Sequence, residues 1–110
     1  MTKAVKIEYT LTAKSTLSDI VFHLKTNNIA PMPIVETILD EFESKVSAFP
    51  TGSQISPQLL KIGCDSYREC NTKGGYRILY STDGSVVTVH VILSQKQDIQ
   101  QALFKRLIEI

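Results

Sequence analysis

Between Val5 and Leu11 the chain alternates. Val5, Ile7, Tyr9 and Leu11 form one apolar side, and Lys6, Glu8 and Thr10 the polar one. That period of two belongs to a half-buried strand. The period then lengthens. Leu17, Ile20, Val21 and Leu24 recur at helical spacing, with Thr12 or Ser15 placed to cap the helix and Asn27-Asn28 to end it. Pro31 and Pro33 break the chain, and Pro33 suits the first turn of a second helix. The stripe of that helix is Val35, Ile38, Leu39, Phe42 and Val46, ending near Phe49-Pro50. Two helices joined by so short a loop, over roughly residues 13–48, pack antiparallel with both stripes facing one side.

Residues 50–65, PTGSQISPQLLKIGCD, read as an irregular connection long enough to hide one helical turn around Leu59-Leu60. Three strands follow, at about 66–71, 75–81 and 85–93, the last two joined by TDGS, where Asp-Gly tolerates positive φ. Ile99, Ala102, Leu103 and Leu107 then predict a short C-terminal amphipathic helix, with Lys96 and Asp98 near its start. The fold class is α+β: strand, helical hairpin, three-stranded antiparallel meander, helix, forming a single domain over residues 1–110.

The hairpins assign faces. With turns centred at Lys73-Gly74 and Asp83-Gly84, Cys70 lies opposite Arg77, Arg68 opposite Leu79, Tyr76 opposite Val91, Ile78 opposite Val89, Tyr80 opposite Val87, and Arg77 opposite His90. Tyr67, Tyr76, Ile78, Tyr80, Val87, Val89 and Val91 then form a core face over the helices. Arg68, Arg77, Thr88 and His90, among Leu79, Val86 and Ile92, form the other. Two guanidiniums on one face make either an anion site, forked toward phosphate or carboxylate, or a solvated surface whose arginines pair with acids. Apolar residues among the cations make the face a candidate interaction surface.

Composition narrows the choice. The chain has 110 residues, 43% hydrophobic and 21% charged, with formal net charge +1 and a sequence pI of about 7.8. That balance does not mark a nucleic-acid binder by bulk charge. Cys64 and Cys70, with five residues between them and without partner ligands, predict free thiols rather than zinc. No stretch has the length of a membrane span or the form of a signal peptide, so the expected compartment is the cytoplasm. His23, beside Phe22 and off the first helix's stripe, reads as a surface histidine. No Ser/His/Asp triad, phosphate loop or dinucleotide fingerprint is present, and no metal or cofactor is expected.

The element order, with KIEYTL, a helical hairpin ending in FPTG, YREC, GYRILYSTDGSVVTVHVIL and the polar SQKQDI, resembles the RelE/ParE superfamily of bacterial type II toxins. The resemblance implies a cognate antitoxin as partner and either of two activities. RelE-like members are ribosome-dependent mRNA endoribonucleases; ParE-like members share the fold and poison DNA gyrase. For a nuclease, Arg77 matches the arginine near the scissile phosphate and Arg68 one position of a basic strand. His90, which matches no catalytic position of the family, would be the group with a pKa suited to proton transfer. Several positions depart from the nuclease pattern: Cys70 stands at a basic position, Gln97 near an expected arginine, Leu103 near an expected tyrosine, and Ser94 at a shared histidine. With the long hairpin and near-neutral charge, these favour the ParE-like branch. The alternatives are a RelE-like nuclease acting on the ribosome and an inactive antitoxin-binding member. The partner surface expected on this reading is Arg68, Arg77, Leu79, Val86, Thr88, His90 and Ile92, in a homodimer or a toxin–antitoxin hetero-oligomer.

Overall fold

The computed structural model describes residues 5–63 and 65–94. Cys64 and the expected C-terminal helix, with Lys96, Gln97, Asp98 and Leu103, lie outside the described residues. Strand β1 spans Lys6–Tyr9, with Lys6 and Glu8 exposed and Ile7 and Tyr9 half-buried, as alternation requires. Helix α1 spans Leu11–Thr26. Its cap is Thr10 rather than Thr12 or Ser15: extended at φ −72° and ψ 166°, Thr10 accepts the Ala13 N–H at 3.0 Å through Oγ1. Thr12 is instead a buried residue inside the helix.

The C-terminus of α1 is closed by Asn28, at φ 60°. Ile29 N–H donates to Leu24 O and Asn28 N–H to Lys25 O, the paired bonds that satisfy a helix's last carbonyls. Asparagine tolerates that left-handed conformation at modest cost. Helix α2 spans Pro31–Ala48, with Pro31 in its first turn, where no intrahelical N–H is needed. The hidden turn is present as α3, Pro57–Leu60.

Strands β2 (Arg68–Asn71), β3 (Tyr76–Asp83) and β4 (Val86–Ser94) form the antiparallel meander. β1 joins the far side of β4 in parallel, giving the order β1-β4-β3-β2. The main core lies between one sheet face and the helices. Ala13, Ile20 and Leu24 of α1 and Ile38, Phe42 and Val46 of α2 meet Cys70, Ile78, Tyr80, Val87, Val89 and Ile92. The Phe42 and Tyr80 rings pack edge-on at 5.4 Å. On the other face Leu59 of α3 covers Leu79, Val91 and Leu93, with Tyr67 at the margin. Among the described residues no helix is long and apolar enough to cross a membrane.

Helix α2 is also tied to the β2–β3 turn. Glu41 accepts from Lys73 N–H at 3.1 Å and bonds Lys45 at 3.0 Å, and the Lys45 ammonium donates to Asn71 O. The Lys45 bond, with the help of the Lys73 amide, holds the Glu41 carboxyl below its usual pKa.

Candidate functional site

The residues singled out for chemistry lie on the meander, so its register decides what they can do. The β2–β3 loop is one residue longer than a Lys73-Gly74 turn. Thr72 pairs with Tyr76 through its N–H to Tyr76 O at 2.9 Å, leaving Lys73, Gly74 and Gly75 as the loop. Gly75 takes φ 88°, the left-handed position that closes a three-residue hairpin loop. Arg68 therefore pairs with Tyr80, Cys70 with Ile78 and Asn71 with Arg77. This corrects the expected register by one residue, and in a strand one residue reverses the face. Arg68 and Arg77 stand on opposite faces of the sheet.

Arg68 is on the helix side, at the sheet margin. Its Nη1 donates to Ser53 O at 2.7 Å, while Tyr80 Oη donates to Pro50 O at 3.0 Å. Together they hold the segment after α2. Arg68 is thus engaged in packing, and the two-arginine anion site does not form. Cys70, beside it on the core face, is a buried free cysteine whose thiol pKa is raised by that burial.

The second hairpin turns at Gly84-Ser85, with Asp83 opposite Val86 and Gly84 at φ 60°, the position a type II′ turn gives to glycine. That shifts the expected pairing by two residues and keeps the faces: Tyr80 meets Val89, both in the core. A bulge then intervenes between Leu79 and Tyr80, where β4 carries His90 as its extra residue. Beyond it Ile78 meets Ile92, Leu79 meets Val91 and Arg77 meets Leu93. Ile92, expected on the open face, is fully buried in the core. Val91 and Tyr67, expected in the core, belong to the opposite cluster.

The bulge is built by α1. Thr10 Oγ1 donates to His90 O at 3.1 Å, and the buried Thr16 Oγ1 accepts Ile92 N–H at 3.0 Å. Backbone groups that the irregularity takes from the ladder are thereby paired from the helix. The result aims His90 at Ser81, with Nε2 2.8 Å from Oγ, and sets its ring perpendicular to that of Tyr67, 5.0 Å between centroids. Ser81 pairs with Thr88 on the same face. Arg77 lies four residues from Ser81 along β3, about 13 Å at strand rise, with Leu79 between. The structure thus gathers His90, Ser81, Tyr67 and Thr88, and sets Arg77 apart.

Of the expected partner residues, Arg77, Val86, Thr88 and His90 are partly exposed, whereas Leu79 is 1% and Ile92 0% exposed. The large apolar side chains that do face solvent include Phe22 and Met32 on the helical hairpin and Phe49 after it, each more than half exposed. His23 is exposed beside them. Ser81 and Tyr67 were not singled out by sequence, since their proximity to His90 depends on a bulge that alternation does not mark. Among the described residues no group of three His, Cys, Asp or Glu could hold a metal ion.

No family model and no curated protein matches the sequence. Solved structures match the fold. A chain of the chromosomal ParDE toxin–antitoxin system from P. aeruginosa superposes with a TM-score of 0.66 at 13% identity, over 83% of this chain and 96% of that one. An E. coli RelE toxin, a double mutant in the free state, superposes with a TM-score of 0.59 at 12% identity, over 98% of this chain and 99% of that one. The strand, helical hairpin and antiparallel meander described above are therefore those of the RelE/ParE toxin fold.

Proposed function

We propose that this chain is the toxin of a type II toxin–antitoxin module, neutralised by a cognate antitoxin, and that it acts by binding DNA gyrase rather than by cleaving mRNA. The toxin reading is supported by the fold it shares, over nearly the whole length of the matched chains, with a ParDE component and with RelE. The choice between mechanisms rests on one observation: Arg68 and Arg77 are on opposite faces. Cleavage by 2′-OH attack needs cations converging on the developing phosphorane charge and a proton-transfer group within hydrogen-bond reach. Here Arg68 is spent on Ser53 O, and Arg77 lies opposite Leu93 rather than His90. Binding to a protein target needs no such convergence.

Induced expression in bacteria, with and without the protein encoded by the adjacent reading frame, tests this. The expected result is filamentation with a DNA-damage response, relieved by co-expression, and inhibition of gyrase supercoiling by the purified chain. His90→Gln leaves that inhibition nearly unchanged. Rapid translation arrest with cleavage of mRNA in the ribosomal A site, lost in His90→Gln, would instead establish the nuclease. Unimpaired growth at high expression would leave only antitoxin binding.

A further inference from the structure

β1 is the outermost strand of its side of the sheet. β4 takes one of its edges, and no described strand pairs with the other. The ladder to β4 determines which backbone groups remain. Lys6 N–H donates to Ser85 O and Thr10 N–H to Val89 O. In a parallel ladder alternate residues turn their N–H and C=O to the same neighbour. Lys6, Glu8 and Thr10 are therefore committed to β4, and Ile7 and Tyr9 present their backbone groups to the open edge. Such an edge is a template for another strand.

The geometry points to a second copy of this chain as that strand: β1 pairs antiparallel with the partner's β1 across a two-fold axis at Ile7, joining two four-stranded sheets into one. Charge selects this register. An axis at Lys6 sets Lys6 against its own copy, and one at Glu8 sets Glu8 against its own copy; like charges directly opposite destabilise a sheet. An axis at Tyr9 runs the strand into α1, which begins at Leu11. The axis at Ile7 alone places Lys6 opposite the partner's Glu8 and Glu8 opposite the partner's Lys6. It also makes Ile7, whose N–H and C=O both face outward, the central hydrogen-bonded pair.

The apolar side agrees. Ile7 meets its own copy, and Val5 meets the partner's Tyr9. A shallow apolar cavity of about 210 Å³ lined by Tyr9, Ala13, Leu17 and Leu39 opens beside this row. Leu11, 76% exposed, stands just past the end of the same strand. An isologous contact of this kind closes at two copies, because each protomer spends its one open β1 edge.

Sedimentation equilibrium of the purified full chain at low ionic strength tests the pairing, since exposed charges are screened by salt. The wild type is expected to reach a monomer–dimer equilibrium. Lys6→Glu and Glu8→Lys, each alone, turn both cross-strand charge pairs from attractive to repulsive and weaken dimerisation roughly tenfold. The double variant Lys6→Glu/Glu8→Lys restores it. At concentrations low enough for the wild type to be monomeric, all three keep its Tm, because both side chains are exposed. A wild type that stays monomeric up to its solubility limit overturns the inference. So does a double variant no better than the singles.

Discussion

Replacing Thr16 by valine removes one hydroxyl and keeps the side chain's shape. Thr16 is 5% exposed, donates to Ala13 O at 2.9 Å and accepts Ile92 N–H at 3.0 Å. Ala13 O can lose a donor at little cost, because a helical carbonyl has its own backbone partner. Ile92 N–H cannot, since Ile92 is fully buried and its amide points at the helix. A buried donor left without an acceptor costs about 1–3 kcal/mol. Small domains lose roughly 4–8 °C of Tm per kcal/mol, so Thr16→Val should melt roughly 4–24 °C below wild type. Thr16→Ser keeps the hydroxyl and gives up one methyl, about 0.8 kcal/mol. The second readout is amide exchange: Ile92 N–H loses its protection in Thr16→Val and keeps it in Thr16→Ser. Thr16 does not hold the bulge if Thr16→Val melts with wild type, or if its Ile92 amide exchanges as slowly as before.

Tyr80→Ala should destabilise by about 3–5 kcal/mol in urea unfolding, since the ring is fully buried against Phe42; Tyr80→Phe, which only leaves Pro50 O unpaired, should cost about 1 kcal/mol. Arg68→Ala should cost about 1–3 kcal/mol, more than a solvated arginine would, and should speed proteolysis in the segment after α2 that its guanidinium holds. Tyr9 donates to Glu43 Oε2 at 2.5 Å, and burial first, then that bond, raises its phenol pKa well above the ordinary value. A pKa raised in the folded state means stability that is intact below about pH 10 and falls as pH rises above it. Urea midpoints measured from pH 8 to 11 should therefore drop more steeply in wild type than in Tyr9→Phe.

Much of the architecture could be read from periodicity. The stripe Val35, Ile38, Phe42 and Val46 is buried, and the alternation of Lys6 through Tyr9 makes a strand, because in both cases one face must leave water. What alternation cannot supply is the count of residues inside a loop. KGG allowed a two-residue or a three-residue turn, and the longer one, closed by Gly75, moved Arg68 to the other face. The bulge at His90 is equally silent, since VTVHVIL is apolar on both sides of it and both faces of β4 are covered beyond it, at Val91, Ile92 and Leu93. When a strand is buried on both faces, its pattern no longer distinguishes one from the other. That is why Val91 and Ile92 exchanged places while the strand itself was correctly located.

Strand β4 organises the sheet, lying between β1 and β3, yet it comes after both in the chain. During synthesis β1, α1 and α2 emerge with no strand to pack on, and the β1–β4 ladder must close a loop of some eighty residues. Loop closure of that length is paid before any contact rewards it, so folding waits for β4. At about 5–20 residues per second the earlier elements stay unassembled for seconds. Throughout that interval the nascent chain exposes the apolar stripes of α1 and α2, which are covered only when Val87, Val89 and Ile92 of β4 arrive.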